Sequence, residues 1–474
     1  ALPVDSAMAQ TTLYVDDDFT SATPGWDTTH FATIQDAITE ATAGDTIEVA
    51  AGEYVEVGQI VIDKNLTIVG EDKASTIIKP SQDTGSSGDA RGWFLVQTGV
   101  IFNLSNVTLD GQGWKIYQGI RSHGAGTIDN NIFQNINYSQ YVAFGIAVMD
   151  ADMTFSNNTF TNIGRVGMMF FGSGVTEGEA FNNTYTGKGD GDWLDYAVEV
   201  GSGAKATISG NTFTDCLGVA SSDGSNSAGI LVSDYYGPGT TATINNNTLA
   251  NNTMGIGIGY LDTDASVVNV TGNTFTYNQY HVSAQNATNI NISDTIANNT
   301  FDKYVTVSSE FTVYSSIQDA IDDASTGDTI LVGAGSYEEN VNINKDVTVS
   351  GVNAPVRNSD PAEIHGTFTL SADGASLLDM VVIPGEVGGN QAAVYVSASN
   401  TTVAGNLIEG MTGDGTGYGT IKGVHVYDGN IPAISNISIL ENTIRDLENV
   451  DPGDSTYGGA DGIMVQGVVD NVKV

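Results

Sequence analysis

Cysteine, proline and basic side chains are scarce in this sequence, and each shortage excludes something. Cys216, in "NTFTDCLGV", is the single cysteine. No disulfide can form within the chain, a multi-cysteine metal scaffold is excluded, and a buried free thiol is expected. Lys and Arg number 15 against 56 Asp and Glu, a formal net charge of −41. Such a surface repels nucleic acid and anionic lipid, so neither is an expected partner. It also repels polyanionic sugars unless cations bridge. No apolar run reaches the roughly 18 residues of a membrane span, so none is expected. Proline is limited to 9 residues, whereas glycine reaches 57 and apolar residues make up 40%. A large core can form and global disorder is excluded.

The first residues, "ALPVDSAMA", end in an A-x-A-like pattern before Gln10. They read either as the tail of an export signal or as an ordinary mature N-terminus. We therefore set residues 1–12 apart from the domains that follow.

Two segments then match without a gap. They are Phe31–Glu56, "FATIQDAITEATAGDTIEVAAGEYVE", and Tyr314–Glu339, "YSSIQDAIDDASTGDTILVGAGSYEE". Each leads into a related strand, "KNLTIVG" from Lys64 and "KDVTVSG" from Lys345. The same module therefore starts twice, predicting domains at 13–303 and 304–474. Ile34, Ala37, Ile38 and Ala41 recur at the spacing of a short amphipathic helix, as do Ile317, Ala320, Ile321 and Ala324. Gly44 and Gly327 follow, where a left-handed C-cap is expected. A helix feeding the first strand would act as a lid on an open β stack.

A shorter repeat runs through the body. The last asparagine of each "NNTF"-like stretch falls at Asn131, Asn158, Asn183, Asn211, Asn247, Asn273 and Asn299, with gaps of 27, 25, 28, 36, 26 and 26. A period near 26 with one insertion is a solenoid signature. The second module carries Asn406 and Asn442, 36 apart. Pieces such as "ATISGN" and "GILVSD" alternate, sending Ile and Val inward and Thr, Ser and Asp outward. Asparagine tolerates left-handed turns, and its amide can stack on the next coil's amide. An internal asparagine ladder is the expected role of these seven.

The pattern "ATIQDAI…GDTI…KNLTI", followed by "N-x-F" coils, resembles the pectin-lyase-like superfamily of right-handed parallel β-helices. More narrowly it resembles secreted and cell-surface β-helix repeat proteins of archaea and bacteria, including the opening "LYVDDDFTSATPGWDTTHFATIQDAI". The resemblance implies an all-β chain of two tandem right-handed parallel β-helices, each opened by a short capping α-helix. The superfamily spans lyases, hydrolases, epimerases, adhesins and envelope proteins, so fold alone assigns no activity. After "ADGIMVQGVVDNVKV" no cap follows Val474. A further coil or a second subunit is expected to cover that edge.

The residues for chemistry are few. A uronate lyase needs a cation and a basic side chain, and a hydrolase needs two carboxylates about 5–9 Å apart. The hydrolase motifs implied by the resemblance, Asn-Thr-Asp and Gly-His-Gly, are both absent, as is Arg-x-Pro-x-x-Arg. Arg121 and His123 are the closest pair that could act on an anion; Arg165 and Lys188 stand apart. No catalytic constellation is expected. Asp190, Asp192 and Asp195, flexed by Gly189 and Gly191, are candidate calcium ligands, although the full twelve-residue loop is missing. Asp16, Asp17 and Asp18 form a second acidic run read as structural. Tyr235, Tyr236, Trp193 and Tyr196 could stack on sugars. The sequons at Asn65, Asn106, Asn137, Asn251, Asn269, Asn286, Asn400 and Asn436 are candidate glycosylation sites.

Three functions remain open. The first is an extracellular structural protein of the cell envelope (surface layer, sheath, filament or adhesin) that assembles with copies of itself. It requires no cofactor. The second is a polysaccharide lyase or glycoside hydrolase. The third is a calcium-dependent carbohydrate-binding protein.

Overall fold

The structure, a computed structural model, describes residues 10–286, 288–353, 360–388, 390–414, 419–429, 433–449 and 458–474. Most of the 1–12 segment lies outside the described residues. The chain divides into two compact units, Ala1–Thr300 and Phe301–Val474. Among the described residues, no helix is long and apolar enough to cross a membrane.

The first unit winds through three walls of parallel strands. One wall runs from Thr12–Val15 through Thr46–Val49 to Val267–Thr271. The second runs from Gly52–Glu56 to Thr274–Thr276. The third runs from Ile60–Ile62 through Gly92–Val96, Gln118–Ser122, Phe144–Met149, Val166–Phe171, Tyr196–Gly201, Ala228–Ser233 and Met254–Ile258. Each coil contributes one strand to each wall and rises about 4.8 Å.

Register explains the core. In the first wall, Ile47, Ile68, Leu104, Ile128, Phe155, Ala180, Ile208, Ile244 and Val270 stack in one inward column. In the second wall the column is Tyr54, Ile78, Leu109, Phe133, Phe160, Tyr185, Phe213, Leu249 and Phe275. All of these side chains are buried. Phe133 and Phe160 stack with ring centroids 4.9 Å apart and planes 11° apart. A one-residue slip would turn such a column out to solvent, so burial fixes the register.

The second unit opens on an antiparallel group, Val305–Val307 against Thr312–Tyr314 and Thr329–Val332. It then continues in parallel through Thr348–Gly351, Ser376–Leu378, Thr402–Ala404 and Ile434–Leu440.

The helices α1 (Ile34–Glu40), α2 (Ile292–Asn298) and α3 (Ile317–Asp323) are each seven residues long. Helices this short are marginal alone, and distant side chains hold both ends of α1 and α3. The Glu56 carboxylate accepts from the backbone N–H of Ile34 (2.8 Å) and Gln35 (3.2 Å). Lys64 Nζ donates to the carbonyls of Ile38 (3.1 Å) and Ala41 (3.0 Å). In the second unit Glu339 accepts from Ile317 and Gln318, and Lys345 donates to Asp322 and Ala324. Charges of these signs at these ends also interact favourably with the helix dipole. The expected glycine C-cap is therefore corrected. The chain already leaves α1 at Ala41 (ψ 150°), and Gly44 (φ 98°) shapes the turn into the next strand. Lysine satisfies the terminal carbonyls instead.

Candidate functional site

The asparagine doublets divide the labour at one corner of the first unit. Asn130, Asn157, Asn182 and Asn246 adopt left-handed φ of 54°, 55°, 55° and 55°, with Gly210 and Gly272 at the equivalent place in other coils. That turn drives the following asparagine inward. Asn131 Oδ1 accepts from Val107 N–H (3.1 Å). The backbone and side-chain N–H of Asn131 both donate to Asn158 Oδ1, at 2.9 and 3.1 Å. The same double bond joins Asn158 to Asn183, Asn183 to Asn211, Asn211 to Asn247, Asn247 to Asn273 and Asn273 to Asn299. The second side-chain hydrogen goes to a strand carbonyl, as from Asn183 to Phe155 (2.8 Å). The last rung, Asn299, donates to Val270 and to Thr295 of α2. Every buried amide in the stack is thereby paired, the condition for burying it at all. In the second unit Asn406 bonds Asn442 in the same manner.

A second ladder escaped sequence reading. Cys216 N–H donates to Asn252 Oδ1 (3.0 Å), and Asn252 donates twice to Asn278 Oδ1 (3.0 and 2.9 Å). Its signal was available: the spacings 216–252–278 equal those of 211–247–273. Cys216 is a buried free thiol in this stack, and burial pushes its pKa well up.

The acidic loop is split between environments. Asp195 is buried; its carboxylate accepts from the Tyr185 hydroxyl and from Lys188 N–H (2.6 Å), with Lys188 Nζ at 3.3 Å. Lys188 Nζ also donates to the carbonyls of Ile163 and Gly164. Burial pushes the Asp195 carboxyl up and the Lys188 ammonium down, each opposed by the other's charge. Asp192 is exposed and accepts from Tyr141 O–H and from the N–H and Oγ of Ser221 (both 2.8 Å). Those bonds hold its pKa down to about 2. Asp190 is exposed. Asp195 and Asp192 are thus committed to different partners, and the three carboxylates do not converge. Among the described residues, Asp16, Asp17 and Asp18 are the group whose ligand atoms lie within 4.8 Å of one another.

Arg121 Nε and His123 Nε2 both engage Asp89 Oδ1, at 3.0 and 2.9 Å, and hold that carboxyl below its usual range. Their strand lies three strands from that of Tyr196 in the third wall, about 14 Å away. Tyr196 is buried in an apolar cluster with Val166, Met169 and Leu194. Tyr235 and Tyr236 are exposed. Trp193 donates its indole N–H to Gly189 (3.1 Å). Among the sequons, Asn65, Asn137, Asn251, Asn269, Asn400 and Asn436 are exposed, and Asn106 and Asn286 are half-buried. The Asn286 amide nitrogen already donates to Asp262 and Asp264.

With this geometry in view, the family profile described as "Protein of unknown function (DUF1565)" matches residues 18–308. The chain belongs to this family. The family is one of pectin-lyase-like parallel β-helices, in agreement with the walls above. A cell surface glycoprotein of Methanothermus fervidus is 31% identical over 108 residues, covering 22% of this chain and 17% of the glycoprotein. The match spans about a sixth of that relative's length. Solved structures with similar folds include the catalytic domain of a GH87 α-1,3-glucanase in complex with nigerose, 14% identical over 97% of this chain and 69% of that one, TM-score 0.38. They also include the A-module of the Azotobacter vinelandii mannuronan C-5 epimerase AlgE4, 12% identical over 93% of each chain, TM-score 0.31.

Proposed function

We propose that the chain is an extracellular structural component of the cell envelope, built from two tandem β-helices whose α1 and α3 helices serve as lids. The observation that carries this reading is the unbroken stack from Asn131 to Asn299, in which buried polar groups are spent on joining coils. A rod so braced gains length by adding coils, the logic of a solenoid. Three features support it. The partial relative is a cell surface glycoprotein. Exposed sequons offer attachment points for glycans. The candidate catalytic pair, Arg121 and His123, is tied to one carboxylate. The role requires no cofactor, and calcium at Asp190, Asp192 and Asp195 forms no part of it. Surface layer, sheath, filament and adhesin all suit such a rod.

Electron microscopy of the purified chain tests assembly, alongside assays for reducing sugar and unsaturated uronate released from polysaccharides. Ordered arrays or filaments without sugar release are the expected result. Solitary particles that cleave a glycan would overturn the reading.

A further inference from the structure

One ion pair is out of keeping with the others. The carboxylates of Asp89, Glu53 and Glu409 meet their cations while 58%, 53% and 24% exposed. The Asp195 side chain is 0% exposed, and that of its partner Lys188 is 14% exposed. Taking two such charges out of water can cost more than their attraction returns. Burial accordingly pushes the Asp195 carboxyl up and the Lys188 ammonium down, toward an uncharged acid beside an uncharged amine.

The contacts around Lys188 suit that amine, which has two N–H bonds and one lone pair. Nζ donates to the carbonyls of Ile163 (2.9 Å) and Gly164 (3.0 Å), and these use both hydrogens. The next approach is Asp195 Oδ1 at 3.3 Å, ahead of the Leu194 carbonyl at 3.5 Å. The lone pair is therefore left to the carboxyl group.

The carboxyl is held from its other sides. Oδ1 accepts from the Tyr185 hydroxyl, and Oδ2 accepts from Lys188 N–H (2.6 Å). The backbone N–H of Asp195 is fixed by Ser227 Oγ (2.9 Å). Between the two residues the chain doubles back through Gly189, at φ 76°, and Gly191. Lys188 follows the second-wall strand Thr184–Thr186, and Asp195 precedes the third-wall strand Tyr196–Gly201.

We infer that Lys188 and Asp195 condense into an isopeptide bond, a covalent brace at the corner between the second and third walls. Lys188 Nζ attacks Asp195 Cγ, and Lys188 N–H stabilises the charge that gathers on Oδ2. The Nζ–Cγ bond forms and the Cγ–Oδ1 bond breaks. Tyr185 gives its proton to Oδ1 and takes one from the nitrogen, so the carboxyl's hydroxyl leaves with one amine hydrogen as water. No oxidant, metal or co-reactant enters. Free in water, an amine and an acid do not condense unaided. Groups held in contact act at effective concentrations of about 10⁵–10⁸ M, and a dry site keeps out the water that would reverse the step. The inference goes beyond the envelope role and stands or falls separately from it.

Mass spectrometry of the full chain, made in a host that adds no N-glycan and unfolded before analysis, tests it. The expected mass is about 18 Da, one water, below that of the sequence. Trypsin should fail to cut after Lys188 and release 166–205 as one peptide carrying that deficit. In Lys188→Arg, whose guanidinium is no nucleophile, the full mass and the cut after residue 188 should both return. Tyr185→Phe should still fold, because Phe160 and Phe213 hold the same place in adjoining coils, yet link about 100-fold more slowly. The proposal is overturned by full mass and cleavage after Lys188 in the wild type following prolonged incubation of the folded chain. A deficit that persists in Lys188→Arg, or an unchanged rate in Tyr185→Phe, overturns it as well.

Discussion

Replacing Asn183 with alanine tests how much one rung holds. Asn183 Oδ1 accepts from Asn158 N–H (3.0 Å) and from Asn158 Nδ2 (3.1 Å). Its own Nδ2 donates to Phe155 O (2.8 Å) and Asn211 Oδ1 (3.0 Å). Alanine leaves two N–H groups of Asn158 without an acceptor in a buried place, at about 1–3 kcal/mol each. Asn211 Oδ1 keeps the backbone N–H of residue 183 (2.8 Å), so damage on that side is smaller. The expected loss is about 3 kcal/mol, well above the ordinary surface change. The control is the neighbour, Asn182→Gly. Asn182 is exposed with φ 55°, a conformation glycine adopts freely, so the change should stay within about 0.5 kcal/mol. Urea unfolding followed by circular dichroism reads the difference. Amide exchange at residue 158 then shows whether the loss is local, as expected where each coil leans mainly on its neighbours. Equal midpoints for Asn183→Ala and Asn182→Gly would refute the reasoning.

Other outcomes follow from the same contacts. Burial raises the Glu199 pKa above 4.5, so its folded form binds a proton more tightly than the unfolded chain. Wild type should gain stability relative to Glu199→Gln as pH falls, levelling below about 4.5; an opposite slope in urea midpoints would sink this. Lys64→Met frees two carbonyls at the end of α1, which should cost about 1–2 kcal/mol, read as a lower melting temperature with Lys345 left intact. Cys216 is fully buried, so a chromogenic disulfide reagent should titrate it only after unfolding. Added calcium should shift the melting temperatures of wild type and Asp192→Asn by the same amount, because Asp190, Asp192 and Asp195 do not converge; a rise abolished by Asp192→Asn would contradict that placement.

The strands and the main ladder were legible because their signals are periodic. Burial fixes the alternation, and the turn that positions each rung requires a left-handed residue before an asparagine. The ladder from Cys216 to Asn278 was missed because its first rung is not asparagine. The residues turning it, Asp215, Asn251 and Tyr277, share a positive φ but no chemistry. The acidic loop misled for a local reason. Spacing suggested a chelate, yet Tyr185 stands in a column otherwise led by Phe133, Phe160 and Phe213, and its hydroxyl needs a buried partner. Asp195 supplies it. "NNTYT" in place of "NNTFT" was the trace of that demand in the sequence. Glu199 in "AVEVG" reads as an outward, solvated strand residue; nothing in the spacing shows that the wall's outer face is covered there. Lys64 and Lys345 lie too far along the chain from α1 and α3 for local capping patterns to find them.

Antibody labelling of intact cells of the organism that makes this protein tests the envelope role most directly. Surface label that disappears after external protease is the predicted result. Label that emerges only after the cells are permeabilised would contradict it.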